Sequence, residues 1–392
     1  MTSPTGSWSD LPHSVDEQRK QIGVQAGCPG DRHRLPGSLP VEVGDERTGL
    51  RRDEPAGRHV PGVEPSLVVD VEAPLGHPAQ VEGGAAETAD VAPIPIHALE
   101  RPVATEAALD RAAGMILAAQ RPLVMIGAGG NRPRLVEPLS AFVRATGLPF
   151  FNTQMGKGAV DGGSNLYMGT AALSEGDYVH EAIVLADLII AIGHDTVEKP
   201  PFLMRDAGGP KVLHVGVQSA TVEQVYHPDA EVIGDIGATA SGLARRLSGR
   251  LAPQTRMLEL RQSILARIAD RADEDRFPVT PQRLVRDVRA VMPDDGIVCL
   301  DNGMYKIWFA RNYRTHVANT LLLDNALATM GAGLPSAMMA AMLHPDRRVM
   351  AVCGDGGFMM NSQEMETAVR LGLDLVVLVL NDGAYGMIRW KQ

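Results

Sequence analysis

The pattern of hydrophobic and polar positions changes near residue 86 of this 392-residue chain. Residues 1–85 are crowded with Pro, Gly, Arg, Asp and Glu, and only the short run 67–71 has the apolar character of a strand. A segment of this composition buries too little apolar area to offset the entropy of ordering its chain. We therefore expect residues 1–85 to be a largely disordered segment of low structure.

From residue 86 onward, short apolar runs alternate with stretches of helical period. Helices are predicted at 105–119, 135–146 and 178–186, with Thr105 and Glu106 marking the start of the first one. The runs typical of buried parallel strands are 122–130 (ending in a Gly-rich turn), 149–152, 187–193, 211–216 and 232–234, with a loop expected up to Gly169. This alternation predicts a doubly wound α/β domain over residues 86–250.

A second α/β domain is predicted after a linker helix in residues 251–279, where 258–273 has an amphipathic pattern. Thr280 is of N-cap type and Pro281 suits the first helical position, and helical spacing follows them to Met292. Further strands are predicted at 297–301, 319–324, 349–353 and 375–380. The fold class is therefore two doubly wound parallel-sheet α/β domains after the disordered segment, with residues 280–392 forming the second.

Two polar turns follow the last two predicted strands of this second domain. Gly354-Asp-Gly-Gly357 follows the run 349–353, and Asn381-Asp-Gly383 follows the run 375–380, one strand–helix–strand crossover later. Parallel strands bring both turns to the same sheet edge, and a helix predicted from about Met359 to Leu371 adds its N-terminus there. Glycine backbone and hard carboxylate oxygens suit a Mg²⁺-diphosphate group. The alternative is a structural βαβ unit with tight turns.

These motifs resemble those of a known family. Gly354–Phe358, Glu364–Ala368 and Asn381–Gln392 are similar to the cofactor motif of thiamine-diphosphate-dependent enzymes, and in particular to the acetolactate synthase large subunit. The resemblance implies that Asp355 and Asp382 ligate Mg²⁺ through their side chains, with the Ala384 carbonyl as a third protein ligand. It also implies that the cofactor lies against Gly303, Met330, Gly354, Gly356, Gly357 and Gly386.

Two positions among these have their own alternatives. The resemblance gives Met330 the part of the apolar residue that supports the bent cofactor, whereas its residue type alone equally suits core packing. Tyr305 stands where synthases of this family commonly carry His, so the contact made at that position is open.

The resemblance implies an acetolactate synthase-like carboligase of branched-chain amino-acid synthesis, dependent on thiamine diphosphate and Mg²⁺. Such an enzyme decarboxylates pyruvate and joins the two-carbon fragment to a second 2-keto acid, in active sites shared between subunits of a homo-oligomer. The family's catalytic glutamate lies in a pyrimidine-binding domain with no counterpart in residues 1–85, so no catalytic residue is assigned. We therefore expect a lone chain that is catalytically incomplete. We also expect the second domain to be truncated at its C-terminus. The alternatives are another thiamine-diphosphate 2-keto-acid decarboxylase or oxidase, and a non-catalytic fragment.

The first domain gives a weaker signal for a ligand. Its turn Gly127-Ala-Gly-Gly130 lacks the full dinucleotide fingerprint, and a tight strand-to-helix turn explains it as well. In the resembling family this domain binds FAD in some members. The segment 190–199 lacks the Arg-Phe-Asp-Asp motif of those members, which puts FAD binding in doubt. His194 and Asp195 at a strand end are interpreted as a polar loop pair.

Composition narrows the remaining possibilities. A formal net charge of −10 argues against nucleic acid or an anionic membrane as the main partner. Three cysteines are too few for a disulfide framework, and two of them lie in apolar strand-like runs. The sequence has no apolar stretch of spanning length and no signal-peptide pattern, so we expect a cytoplasmic protein with small-molecule partners.

Overall fold

The structure is a computed structural model that describes residues 100–171, 177–198, 209–222, 226–325 and 327–391. All of these residues belong to one compact unit. The prediction of disorder for residues 1–85 lies outside the described residues. Within the described ranges, no helix is long and apolar enough to cross a membrane.

Six parallel strands form the first sheet, in the order β3-β2-β1-β4-β5-β6. Its strands are β1 (Pro122–Ile126), β2 (Phe150–Asn152), β3 (Tyr167–Thr170), β4 (Leu188–Ile192), β5 (Lys211–Gly216) and β6 (Ala230–Ile233). The helices around it are α1 (Glu106–Ala118), α2 (Val136–Thr146), α3 (His180–Leu185), α4 (Ile236–Leu247) and α5 (Thr255–Ala269).

Helices cover both faces of this sheet, and the side chains of β1 show why. Val124 and Ile126 belong to one buried cluster, with residues of α1, α2 and α4. Leu123 and Met125 belong to another, with residues of α3 and α5. Successive side chains of a strand point to opposite faces, so a strand that is apolar at every position needs cover on both.

Four parallel strands form the second sheet, in the order β10-β9-β7-β8. Its strands are β7 (Ile297–Leu300), β8 (Leu321–Leu322), β9 (Val349–Gly354) and β10 (Val376–Leu380). Its helices are α6 (Pro281–Val291), α7 (Met304–Asn312), α8 (Gly333–Leu343), α9 (Asp355–Met360), α10 (Glu364–Arg370) and α11 (Gly386–Lys391). The predicted fold class, α/β with two parallel sheets and flanking helices, is confirmed.

Two of the predicted helix starts are seen at the atomic level. The Thr105 hydroxyl accepts a hydrogen bond from the Ala108 N–H at 3.3 Å, and the Thr280 hydroxyl accepts one from the Arg283 N–H at 3.2 Å. Both side chains therefore satisfy a backbone donor that the first helical turn leaves free.

Several elements differ from the sequence-based prediction. The expected loop up to Gly169 contains strand β3. Gly169 lies within this strand at φ +130, and a glycine inside a strand weakens the signal by which the strand is predicted from sequence. Helices α4, α7 and α11 were not predicted. The single helix expected from Met359 to Leu371 is wrong: α9 begins at Asp355, and the chain leaves helical geometry at Asn361, whose side-chain amide donates to the Gly331 carbonyl at 2.7 Å.

Two buried cationic side chains on or against α7 join the first sheet to the second. Lys157 is 1% exposed, and its Nζ donates to the Thr170 hydroxyl at 2.8 Å and to the Ala310 carbonyl at 3.0 Å. Arg311 Nε lies 2.8 Å from Asp177 Oδ1, and both side chains are almost fully buried. These contacts place α7, which also leads out of the candidate site described below, firmly against the first sheet.

Candidate functional site

One cavity lies at the carboxyl ends of β7, β9 and β10, with an empty volume of about 540 Å³ that is partly open to solvent. It is lined by all nine residues that the sequence singles out: Gly303, Met330, Gly354, Asp355, Gly356, Gly357, Asp382, Ala384 and Gly386. These residues come from four separate segments of the chain. The fold therefore brings together residues that the sequence could connect only by motif.

The two candidate metal ligands follow adjacent parallel strands. β9 pairs with β10 in register up to Gly354 and Leu380, so Asp355 and Asp382 leave the sheet at the same edge. The Asp355 carboxylate accepts the Gly356 N–H at 2.9 Å, and the Asp382 carboxylate accepts the Ala384 N–H at 3.2 Å. Each carboxylate keeps further oxygen lone pairs for a cation.

The ligands that the sequence predicts at this edge are two carboxylates and a backbone carbonyl, and the three residues that carry them line the cavity. Among the described residues, no group of three or more His, Cys, Asp or Glu side chains could hold a metal ion. A cation bound here would therefore rely on mixed ligands of the kind Mg²⁺ uses, with one or two carboxylates and the remaining positions filled by substrate oxygens and water.

Asp301 is a buried residue that accepts hydrogen bonds from the loops around the cavity. It is 1% exposed, and its carboxylate accepts the Asn302 N–H at 2.6 Å and the Gly331 N–H at 2.9 Å. A Cβ atom at Gly357 would lie 2.9 Å from Asp301 Oδ2, which is closer than such contacts allow. One carboxylate at the end of β7 thus contacts both the first turn of α9 and the loop that carries Met330.

The remaining glycines of the motif are also places of close approach. A Cβ atom at Gly356 would lie 2.5 Å from the Tyr385 ring, and one at Gly386 would lie 2.7 Å from Met304 Cγ. The turn after β10 therefore packs directly on the turn after β9, which only residues without a Cβ atom at these positions allow.

Tyr305 lines the cavity, and its hydroxyl group is buried. The residue is 5% exposed, and its hydroxyl proton finds no acceptor among the described residues, although the Gly354 backbone faces it. Burial, with the negative charges of Asp301 and Asp382, raises the pKa of this hydroxyl above its ordinary value. The group therefore stays neutral and keeps an unused hydrogen-bond donor.

Lys306 lies one residue further along α7. Its Nζ donates to Asn302 Oδ1 at 2.7 Å and to the Asp324 carbonyl, so it ties the loop after β7 to the chain after β8. Burial lowers the pKa of Lys306 to about 8. Only the structure shows that the neighbouring residues Tyr305 and Lys306 have these separate tasks.

Sequence reasoning did not single out part of the apolar wall. Leu380, Met387 and Ile388 line the cavity together with Tyr385. Leu380 is the last residue of β10, and its place before Asn381 was a usable signal. The side chains that line the cavity among the described residues include no Glu, His or Lys.

Comparison with known families agrees with this geometry. Residues 109–243 match the central domain of thiamine pyrophosphate enzymes. Residues 301–392 match the C-terminal thiamine pyrophosphate-binding domain of the same enzymes. The first match covers the six-stranded sheet, and the second covers the cavity with all nine candidate residues.

Individual relatives carry the name acetolactate synthase. The protein of Bacillus subtilis (strain 168) is 29% identical over 298 residues, which cover 74% of this chain and 51% of the relative. The catabolic acetolactate synthase of Raoultella terrigena is 33% identical over 297 residues, covering 74% and 52%. The large subunit of Parasynechococcus marenigrum (strain WH8102) is 31% identical over 319 residues, covering 78% and 50%. The chain thus spans about half the length of these relatives. It belongs to the thiamine pyrophosphate enzyme family, with that family's central and C-terminal domains.

Proposed function

We propose that the cavity of the second sheet binds thiamine diphosphate through Mg²⁺. The Asp355 and Asp382 side chains and the Ala384 carbonyl would hold the cation, and the glycine turns would hold the diphosphate. The observation that carries this proposal is the convergence of all nine candidate residues, from four segments, on one cavity.

The residues present fit such a ligand in chemistry. The carboxylates of Asp355 and Asp382 stand beside the glycines of the same cavity, which suits a metal-bound diphosphate. Met330 and Leu380 provide apolar wall for the rings of the cofactor, while the Tyr305 hydroxyl offers an unused donor.

We further propose that the site serves acetolactate synthase-type chemistry on pyruvate and a second 2-keto acid. Thiamine diphosphate, when bound, supplies the electron sink for decarboxylation and carbon–carbon bond formation. The residues of this chain bind and orient that cofactor. The names of the relatives support the choice of substrate class.

The cavity wall supports a further part of the proposal. Its described side chains include no carboxylic acid besides the two candidate metal ligands, and no His or Lys. We propose that proton transfer depends on a group from another surface, as in a site shared between subunits, so that the described residues alone turn over slowly.

Product analysis tests this function. The purified chain is incubated with pyruvate, thiamine diphosphate and Mg²⁺, beside the acetolactate synthase of Bacillus subtilis (strain 168) as a reference. We expect acetolactate as the product, formed far more slowly than by the reference. Acetaldehyde as the main product would contradict the carboligase assignment. Turnover equal to the reference would contradict the dependence on another surface.

A further inference from the structure

The six-stranded sheet has a point where its strand order reverses. In the order β3-β2-β1-β4-β5-β6, the chain winds one way from β1 and the other way from β4. In sheets of this kind the ligand crevice lies outside the carboxyl ends of these two strands, where backbone N–H groups of the first turn hold a phosphate. Here the turn Gly127–Gly130 follows β1, and Gly193 follows β4.

A carboxylate of the chain itself occupies this position. The Ala128 N–H donates to Glu198 Oε2 at 2.6 Å, while the Thr153 hydroxyl and the Met155 N–H donate to Oε1 at 2.6 and 3.2 Å. The donors come from the turns after β1 and β2, and Glu198 comes from the segment after β4. Glu198 is 6% exposed, so three donors converge on one buried anion.

The turns beside this carboxylate are in direct contact. The Gly129 N–H donates to the Gly193 carbonyl at 2.8 Å, which joins the turn after β1 directly to the end of β4. A Cβ atom at Gly127 would lie 2.6 Å from the Gly193 carbonyl oxygen and 3.0 Å from Glu198 Oε2. A phosphate group that used the same three donors would have to displace Glu198, because the carboxylate already accepts their hydrogen bonds.

We propose that Glu198 is an internal substitute for a phosphate group, which fills the anion site of the first sheet and excludes dinucleotides, FAD included. Glu198 thereby fixes the relative positions of the turns after β1, β2 and β4 without a cofactor. Burial raises the pKa of Glu198, and the hydrogen bonds from the three donors lower it in part.

Chemical rescue distinguishes an anion site from an ordinary buried glutamate. In Glu198→Ala the donors of Ala128, Thr153 and Met155 lose their acceptor, and we expect a lower unfolding temperature. Inorganic phosphate, added without divalent metal, should raise that temperature by about 2–4 °C more than it does for the wild-type chain. The cavity of the second sheet is identical in both proteins, so phosphate bound there cancels in the comparison.

Two controls complete the experiment. Glu181→Ala removes a half-exposed glutamate of α3 in the same domain and should respond to phosphate as the wild type does. Glu198→Gln should be less stable than the wild type. Because its side chain still fills the site, phosphate should not raise its unfolding temperature more than it raises that of the wild type. This variant also serves if the alanine variant fails to fold, since rescue of Glu198→Gln to the wild-type unfolding temperature by phosphate would overturn the proposal.

A flavin titration tests exclusion itself. We expect FAD fluorescence to remain unquenched when the wild-type chain is added. Quenching by the wild-type chain would overturn the proposal, and so would equal phosphate responses of Glu198→Ala and the wild type.

Discussion

The Nζ atom of Lys157 lies 3.0 Å from the carbonyl oxygen of Ala310, and this contact joins the loop after β2 to helix α7. α7 begins directly after Gly303 and carries Tyr305 to the cavity wall and Lys306 to the loop after β7. Removal of the ammonium group from water lowers the pKa of Lys157 to about 7, with a smaller contribution from Arg314. The junction between the two sheets therefore depends on a group that titrates near neutral pH.

Lys157→Met tests this dependence. The pKa of Lys157 falls from 10.5 to about 7 on folding, so between these values the native state binds fewer protons than the unfolded state. The free energy of unfolding of the wild type should then rise with pH relative to that of the Met variant, by up to about 1.4 kcal/mol per pH unit. Denaturant unfolding of both proteins at several pH values from 7 to 10 measures the difference. Parallel profiles would show that Lys157 titrates as an exposed lysine does.

Asp301→Asn tests the carboxylate that links the loops of the site. The variant keeps the size of the side chain, but its NH₂ group opposes one of the N–H donors of Asn302 and Gly331. We expect the free energy of unfolding to fall by about 1–3 kcal/mol and cofactor affinity to fall with it. Asp374→Asn, at an exposed position before β10, is the matched control and should change neither quantity.

Gly357→Ala tests the close approach of helix α9 to Asp301. The added Cβ atom would lie 2.9 Å from Asp301 Oδ2 in a place that has no room for it, so thiamine diphosphate affinity should fall. Gly114→Ala offers the contrast, because a Cβ atom there meets nothing within 4 Å and the position is inside helix α1. That variant should be more stable by about 0.5–1 kcal/mol and bind the cofactor unchanged. Equal cofactor affinities of the two variants would show that Gly357 is replaceable.

Tyr305→Phe separates stability from binding. The hydroxyl proton has no acceptor among the described residues, so its removal should leave the free energy of unfolding without cofactor unchanged or slightly higher. If the hydroxyl donates to the bound diphosphate, affinity for thiamine diphosphate should fall by about tenfold, the worth of a hydrogen bond to a charged group. Unfolding and calorimetry on the same samples provide both quantities. A loss of stability with unchanged affinity would assign Tyr305 to the core alone.

Much of the fold could be predicted because its strands are short apolar runs that can be recognised from local sequence alone. Leu188–Ile192 and Val349–Gly354 are apolar at nearly every position, and both are buried as central parallel strands. The placement of Asp355 and Asp382 at one edge followed from the crossover between β9 and β10. In both cases, local sequence and a general rule of parallel sheets were sufficient.

The remaining features depend on contacts between distant segments. Helix α7 is buried on nearly all sides, so its sequence has no polar face from which a helical period could be recognised. The break after α9 follows from the hydrogen bond of Asn361 to Gly331, thirty residues earlier in the chain. Lys157 and Glu198 have residue types typical of the surface, and only the assembled fold shows that both are buried among specific donors and acceptors.

Calorimetric titration with thiamine diphosphate, with Mg²⁺ and with EDTA, tests the central claim most directly. We expect the wild-type chain and the exposed-site control Asp374→Ala to bind the cofactor only with Mg²⁺. Asp355→Ala should bind it at least about 10–100-fold more weakly, since it loses a direct ligand of the cation. Binding of equal strength in EDTA, or undiminished binding by Asp355→Ala, would contradict the assignment of this cavity as a Mg²⁺-diphosphate site.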